Sequence, residues 1–160
     1  MAIRMVTPAS EVDKILYKAF KILQNEITKS LSKLGVECIA KIRDRSKEES
    51  WIDHTGNLRS SIGYAVYDYG VKQIESAFQI VRNGNEGSTE GRKMISQLGS
   101  EYSNAYALVV VAGMNYADYV EALENKDVLA STEIWAKGVI NARLKMAKKE
   151  AIRKIDKLLV

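Results

Sequence analysis

The chain has 160 residues, 46% of them hydrophobic and 28% charged, a composition typical of an ordinary globular protein, which predicts a single domain over residues 1–160. Its only proline, Pro8, argues against a proline-rich linker, and its only cysteine, Cys38, excludes an internal disulfide and favours a reducing cytoplasm. No start segment has the pattern of a secretory leader, and the longest apolar run, Ala105 to Ala112, is far below the roughly 20 residues of a transmembrane helix.

The formal net charge of +4 is distributed unevenly. Residues 1–67 have a net charge of +3, residues 68–136 have five basic and ten acidic side chains, and residues 137–160 have eight basic and two acidic ones. An acidic middle (net −5) beside a basic tail (net +6) suits contact between copies of one protein as readily as contact with phosphate. The net charge alone therefore does not choose between a protein partner and a nucleic acid.

A long first helix is predicted from Pro8 to about Arg45. Thr7 can cap it, and Pro8 suits the first helical position because its missing N–H costs little there. Gly35 is interpreted as a tolerated interior glycine. Apolar side chains follow one stripe at helical spacing: Val12, Ile15, Leu16, Ala19, Leu23, Ile27, Leu31, Leu34, Cys38 and Ile42. The predicted helix is about 55 Å long, more than a compact domain of this size needs, so part of it should contact something outside its own core.

The segment Trp51 to Ile62, W-I-D-H-T-G-N-L-R-S-S-I, is typical of an entry from a helix into a strand. Thr55 can cap a helix or turn, and Gly56 permits backbone conformations that other residues avoid. The segment contains the only histidine, His54, but no nucleophile motif accompanies it. The pattern therefore predicts a structural corner rather than an active site.

Two alternating runs predict an antiparallel hairpin that turns near Gly70. Ser61 to Tyr69 alternates as a half-buried strand does, and Gln73 to Arg82 follows with Ile74, Phe78 and Ile80 on one face. Tyr106 to Ala112 is apolar on both faces, which predicts a central strand.

The stretch from Asn83 to Asn104 is polar and rich in glycine, which predicts a long loop with a short helix at about Arg92 to Leu98. Its four glycines do not have phosphate-loop spacing. If the chain assembles into rings, we expect this loop to reach a neighbouring ring or the lumen.

A final basic helix is predicted to begin at Ser131 or Thr132, either of which can cap it, after a turn at Glu124 to Asp127. One apolar stripe comprises Ile140, Leu144, Ala147, Ala151, Ile155 and Leu158. A second stripe on nearly the opposite side comprises Trp135, Val139, Ala142 and Met146. A helix that is apolar on two sides is either enclosed by its own fold or in contact with a partner.

The sequence contains no recognisable catalytic, cofactor-binding or metal-binding pattern. One histidine and one distant cysteine leave only scattered carboxylates as metal ligands. The basic side chains of the last helix could instead neutralise phosphates, so a small nucleic-acid-binding protein remains the alternative reading.

Two short motifs stand out between the predicted helices: T-G-N-L-R-S-S-I at Thr55 to Ile62, after the long first helix, and Y-A-D-Y-V-E at Tyr116 to Glu121, after the strands and before the C-terminal helix. In this order of elements and motifs the chain resembles the neck and tail-completion proteins of long-tailed bacteriophages. The resemblance extends over most of the chain. Family members commonly continue with a Phe-Gly-Thr turn and a proline, where this chain has Ala122 to Asn125, so it resembles a divergent branch.

The resemblance implies an α+β protein with a long N-terminal helix and a C-terminal helix packed on a small, mainly antiparallel β-sheet. It implies a virion structural protein, not an enzyme, that assembles in the host cytoplasm into a homo-oligomeric ring of roughly six or twelve copies. Expected partners are further copies, neighbouring head-connector and tail proteins, and DNA that passes through the lumen without sequence-specific binding; no membrane and no cofactor are expected.

The resemblance also implies roles for particular residues. Thr55, Gly56, Leu58 and Arg59 would form the corner between helix and strand. Together with the charge pattern and the two-sided last helix, it indicates an interface that comprises Tyr116, Tyr119, Glu121, Trp135, Val139, Arg143, Met146, Lys149 and Arg153.

Overall fold

The computed structural model describes residues 7–45, 51–123 and 126–158. The helices are α1 (Ala9–Arg43), α2 (Asn57–Ser60), α3 (Asn85–Leu98), α4 (Ala117–Ala122) and α5 (Ala130–Asp156), with a 3₁₀ turn at Gly99–Tyr102; the strands are β1 (Ile62–Asp68), β2 (Val71–Glu75) and β3 (Tyr106–Ala112). The fold is α+β, with the long N-terminal and C-terminal helices packed beside a three-stranded antiparallel sheet, as predicted.

Helix α1 has nearly the predicted bounds, and its 35 residues extend over about 52 Å. Pro8 occupies the N-cap position, and no side chain caps the helix, so the predicted cap by Thr7 is wrong. The buried residues of α1 all lie in its C-terminal half, from Leu31 to Ile42. Gly35 is more than tolerated, because a Cβ there would come within 2.5 Å of the Tyr64 ring.

The sheet has the order β2-β1-β3, so β1 is the central strand and β3 lies at an edge. The prediction that Tyr106 to Ala112 forms a central strand is therefore wrong. All seven residues of β1 are buried, because α1 covers one face of the sheet and α3 covers the other. Small residues on the α3 side of β1 let its neighbours approach closely: a Cβ on Gly63 would lie 2.3 Å from the Phe78 ring.

The hairpin turns at Gly70 as predicted, with φ of +82°. Its second strand ends at Glu75 instead of continuing to Arg82. Ile74 packs with Tyr64 on the α1 side, whereas Phe78 packs with Tyr67 on the α3 side, so these side chains do not share a face. The irregular stretch after Glu75 shifts the alternation, and Ile80 is 50% exposed.

Residues 85–98 form a regular helix, so the short helix predicted at Arg92 to Leu98 is confirmed as its second half, whereas the loop predicted before it is wrong from Asn85 onward. Glycines recur on the side of α3 that faces the sheet and α2. A Cβ on Gly87 would lie 1.9 Å from the carbonyl oxygen of Asn57, and one on Gly91 would lie 2.4 Å from the Phe78 ring. The glycines of this stretch therefore permit close helix packing, and α3 is committed to the core instead of reaching outward.

Helix α5 runs antiparallel to α1 and packs along it. The Arg143 guanidinium lies 2.7 Å from the Glu37 carboxylate, and the Lys154 ammonium lies 2.5 Å from that of Glu26. Ile140 and Leu144 pack against the cluster that contains Tyr64. Among the described residues, no helix is both long enough and apolar enough to cross a bilayer.

Candidate assembly surfaces

The corner between α1 and β1 is organised by the Asp53 carboxylate. Its oxygens accept hydrogen bonds from the backbone N–H groups of Gly56 and Arg59, both at 2.9 Å. Gly56 has φ of +87°, a left-handed conformation that favours glycine. The Thr55 hydroxyl accepts a further bond from Asn57 N–H at 3.2 Å. Sequence reasoning missed Asp53, although an aspartate three residues before a glycine is a common turn signal.

Two arginines connect the ends of this corner. The Arg43 guanidinium donates to the carbonyl oxygens of Arg59 (3.2 Å) and Ile62 (2.9 Å), and the Arg59 guanidinium donates to that of Arg43 (2.6 Å). Burial, followed by the neighbouring Arg59 charge, lowers the pKa of Arg43. Arg59 also lies over the Trp51 ring at 5.2 Å. The predicted corner residue Arg59 thus holds the end of α1 against the start of β1.

His54 is exposed, and its neighbour Asp53 is engaged with backbone N–H groups. The described residues contain no group of three or more His, Cys, Asp or Glu side chains arranged to hold a metal ion. The hydrogen bonds of Asp53 in this corner therefore connect backbone segments.

The second segment, Tyr116 to Glu121, meets the first corner in space. Leu58 and Ile62 share a buried cluster with Ala117, and Val120 packs against it. Burial and then the Asp53 carboxylate raise the pKa of Tyr116. The two motifs that are far apart in the chain therefore form one structural unit. Tyr119 is 70% exposed and remains available to a partner.

Glu121 was predicted to lie at an interface, but its carboxylate caps α5 from within the chain. It accepts hydrogen bonds from the backbone N–H groups of Val128 (3.0 Å), Leu129 (2.7 Å) and Ala130 (3.1 Å). The predicted cap by Ser131 or Thr132 is wrong, since no side-chain cap is formed at the N-cap residue Leu129.

The hydroxyls of the two predicted capping residues accept hydrogen bonds from the Arg45 guanidinium instead, Ser131 at 2.8 Å and Thr132 at 2.6 Å. Arg45 also forms an ion pair with Asp127 at 2.8 Å. Burial tends to raise the pKa of Asp127, but hydrogen bonds from Ser131 and Arg45 outweigh it and lower that pKa. The predicted turn residues Glu124 and Asn125 lie outside the described residues.

The second apolar stripe of α5 is only partly free. Trp135 is half-buried under the Lys41 ammonium at 4.8 Å, and Val139 is half-buried, whereas Met146 is 67% exposed. Two further exposed apolar side chains, Ile134 and Ile152, lie outside both predicted stripes.

Much of the basic charge predicted for the interface is neutralised within the chain. Arg143 pairs with Glu37, and Arg153 pairs with Glu150 at 2.8 Å. The hydrogen bond from Lys154 lowers the pKa of Glu26. Lys149 is exposed, as are Lys145 and Lys148.

The N-terminal part of α1 extends past the rest of the fold, and we call residues 9–20 the α1 arm. Among the described residues, the ion pair between α1 and α5 that lies nearest the start of α1 is that of Glu26 with Lys154, and every residue from 9 to 18 is exposed. The apolar stripe nevertheless continues along the arm, where Val12 is 42% exposed, Ile15 37% and Leu16 61%; Phe20, outside the predicted stripe, is 55% exposed.

An apolar groove of about 360 Å³ follows the free edge of β3, and we call it the β3-edge groove. Side chains from α1, α3, the 3₁₀ turn, β3 and α5 line it, among them Leu34, Cys38, Leu98, Tyr102, Leu108 and Ile140. Burial raises the pKa of Cys38 to about 11. Sequence reasoning missed this groove, because it depends on β3 being an edge strand.

Comparison of the chain with protein-family models, with curated proteins and with solved structures found no match.

Proposed function

We propose that this chain is a structural subunit of the neck of long-tailed bacteriophages, where it forms a homo-oligomeric ring that joins the head connector to the tail. Its partners would be further copies and the neighbouring connector and tail proteins, and DNA would pass through the lumen without sequence-specific contacts. The mature protein would reside in the virion after assembly in the host cytoplasm.

The α1 arm is the observation that most supports this proposal. The arm continues a helix whose other half packs in the core, but its own apolar side chains face solvent, and an apolar stripe of this kind indicates a surface for packing against a partner. Leu16 of this stripe and the neighbouring Phe20 are both more than half exposed. A protein that works by adhesion to other subunits accounts for such a surface.

The arrangement of the two corners also supports a role that needs rigid geometry. Asp53 fixes the turn between α1 and β1, and Glu121 fixes the start of α5. Both corners share one buried cluster. A ring closes only if the angle between successive contacts is reproducible, and these connections hold the two long helices at fixed positions relative to the sheet.

Negative-stain imaging and light scattering of the purified chain test the proposal. We expect ring-shaped particles of uniform diameter and a mass that is an integral multiple of the 17.9 kDa chain. A chain that stays monomeric at millimolar concentration, and forms no rings with or without connector proteins, would contradict it.

A second candidate is a small basic nucleic-acid-binding protein, and the groove between α1 and α5 is the observation that favours it. Lys29 and Lys33 line this groove of about 330 Å³ beside Arg143, Arg153 and Lys154, which are paired with Glu37, Glu150 and Glu26. Affinity for DNA that falls steeply with salt, in a chain that stays monomeric, would favour this function over the neck ring.

A further inference from the structure

We propose that the α1 arm is a contact between two copies of this chain, in which the two arms pair antiparallel with their apolar faces together. The apolar face of the arm lies in line with the surface of α1 that α5 covers further along, and the charges beside it match those of an antiparallel second arm. The inference goes beyond the proposed function, because arm pairing can be tested whether or not the chain forms a neck ring.

Helix α5 ends before it reaches the arm. The two ion pairs between the helices, Glu26 with Lys154 and Glu37 with Arg143, are eleven residues apart on each helix, so α1 and α5 advance in step. The four described residues that follow Lys154 bring α5 level with Ile22, just past the arm. Because residues 9–18 are all exposed, no element of the described chain covers them.

The face of α1 that contacts α5 continues along the arm. Glu26 and Glu37 mark this face, and their separation of eleven residues is close to three helical turns. Ile15 lies the same eleven residues before Glu26, and Val12 and Ala19 flank it on the same face. The arm is therefore apolar where α1 would next meet a helix antiparallel to it, and such a helix would continue the packing of α5.

The charges of the arm favour a second arm as that helix. Glu11 and Lys18 lie about two turns apart on one flank of the apolar face, and neither belongs to an ion pair among the described residues. In an antiparallel pair centred on the middle of the arm, between Lys14 and Ile15, Glu11 of each copy lies opposite Lys18 of the other. Flanking charges of this kind set the orientation of paired helices, and a parallel pair would not bring these two positions together.

The area of the arm suits a weak contact. Four apolar side chains on or beside the face are 37% to 61% exposed: Val12, Ile15, Leu16 and Phe20. They present on the order of 400 Å² per arm, and with Tyr17 at the margin two arms would bury roughly 1,000 Å². This total lies at the low end for specific contacts, so we expect a dimer that dissociates in the micromolar range.

The contact is two-fold symmetric, since the same patch is used by both copies. An isologous contact ends at two copies and does not by itself close a ring. In a neck ring it would join the copies in pairs, either within one ring or between two stacked rings.

Sedimentation velocity of the full chain, at about 1 to 200 µM, tests the pairing. The unsubstituted chain should shift from monomer to dimer, and Leu16→Asp should raise the dissociation constant at least about tenfold, because it buries a charge in the apolar contact. The control Ser10→Asp adds the same charge on the far face of the arm and should change that constant less than about twofold. Both positions are exposed, so circular dichroism should show the same fold.

Reversal of the flank charges tests the antiparallel orientation at low salt. Glu11→Lys and Lys18→Glu should each raise the dissociation constant about threefold or more, because like charges then face each other. The double variant should return to within about twofold of the unsubstituted chain, because each copy again offers opposite charges. A parallel pair would show no such recovery.

The outcomes separate arm pairing from the proposed function. A chain that stays monomeric over this range, a Leu16→Asp variant that pairs as tightly as Ser10→Asp, or a double variant without recovery would overturn the antiparallel contact. Rings of unchanged mass formed by Leu16→Asp would also overturn it and leave the neck ring standing. Dimers of the unsubstituted chain that never form rings would support arm pairing and count against the proposed function.

Discussion

Replacing Gly87 with alanine should destabilise the fold, although alanine is the better helix former. Gly87 lies in α3 against α2, and a Cβ there would come within 1.9 Å of the Asn57 carbonyl oxygen and 2.7 Å of its carbonyl carbon. These are backbone atoms, which no side-chain rotation can move aside. The two helices must separate, and the hydrogen bond from Gly87 N–H to the Asn57 side-chain oxygen, 3.3 Å long, would be lost.

The magnitude follows from three contributions to the free energy of unfolding. Overpacking of a filled interface costs about 1–3 kcal/mol, loss of the hydrogen bond costs about 1 kcal/mol, and the gain in helix propensity offsets about 1 kcal/mol. We expect a net loss of about 2 kcal/mol.

Gly138 provides the matched control, because it lies in α5 with nothing within 4 Å of an added Cβ. Gly138→Ala should stabilise the fold by about 1 kcal/mol. The two variants should then differ by about 3 kcal/mol, or roughly 10 °C in Tm for a domain of this size. Urea and thermal unfolding followed by circular dichroism, at one protein concentration, measure the difference. Equal stabilities of the two variants would refute the close packing of α3 against α2. Equal stabilities are also what we would expect if Gly87 lay in a loop.

Three further predictions concern the corners and the groove. Gly56→Val should lower the free energy of unfolding by about 3 kcal/mol or prevent folding, because Gly56 has φ of +87° and a Cβ there would lie 2.0 Å from the Val81 carbonyl oxygen. The control His54→Ala should change the free energy of unfolding by less than about 0.5 kcal/mol. Similar unfolding midpoints for the two variants would contradict this prediction. Glu121→Gln should lower the free energy of unfolding by about 2 kcal/mol, because a neutral amide replaces a carboxylate that accepts hydrogen bonds from three backbone N–H groups. Urea unfolding measures the change, and an unchanged midpoint would argue against the cap. Cys38 should react with a maleimide at pH 8 at least about 100-fold more slowly in the native protein than in urea. The reason is that the thiolate is the reacting species and burial raises the pKa of this thiol from 9.0 to about 11. Equal reaction rates in the two states would contradict the burial of the thiol.

Periodic segments were predictable because a long repeat leaves few alternatives. The stripe of α1 repeats over ten apolar positions and correctly predicted a helix that begins within one residue of Pro8. The turn at Gly70 and the strand before it followed from strict alternation and one glycine. The positions of the long helices and of the hairpin could therefore be derived from pattern alone, whereas the α+β class was implied by the family resemblance.

The wrong predictions concern residues whose structural role depends on the element that packs against them. Glycine is ambiguous in a sequence, since it serves flexible loops and close helix contacts alike, and Gly87 and Gly91 belong to the second kind. Gly84, Gly87 and Gly91 are separated by three and four residues, and this spacing is the signal that could have predicted one face of a helix. Strand order gave a similar error, because apolar side chains on both faces of β3 indicate covering layers but not whether a second strand pairs with it.

The candidate surfaces show the same division. An over-long first helix predicted apolar surface outside the core, and the α1 arm exposes apolar side chains there; their contact with a partner stays a prediction. Glu121 was expected at an interface, but its position before α5 lets it cap that helix, which no local pattern in Y-V-E reveals. The β3-edge groove joins residues from Leu34 to Ile140, and only their distance in space relates them.

The sequence by itself determined where the long helices and the hairpin form, because periodicity and turn residues act over a few neighbours along the chain. Only the tertiary structure decided which strand is central, which glycines lie in close contact with a neighbouring element and which carboxylates cap a helix. Those outcomes depend on the energies of long-range packing, in which Asn57 meets Gly87 and Glu121 meets Leu129 only after the sheet and helices have assembled. The exposed arm and the open groove are what that assembly leaves uncovered.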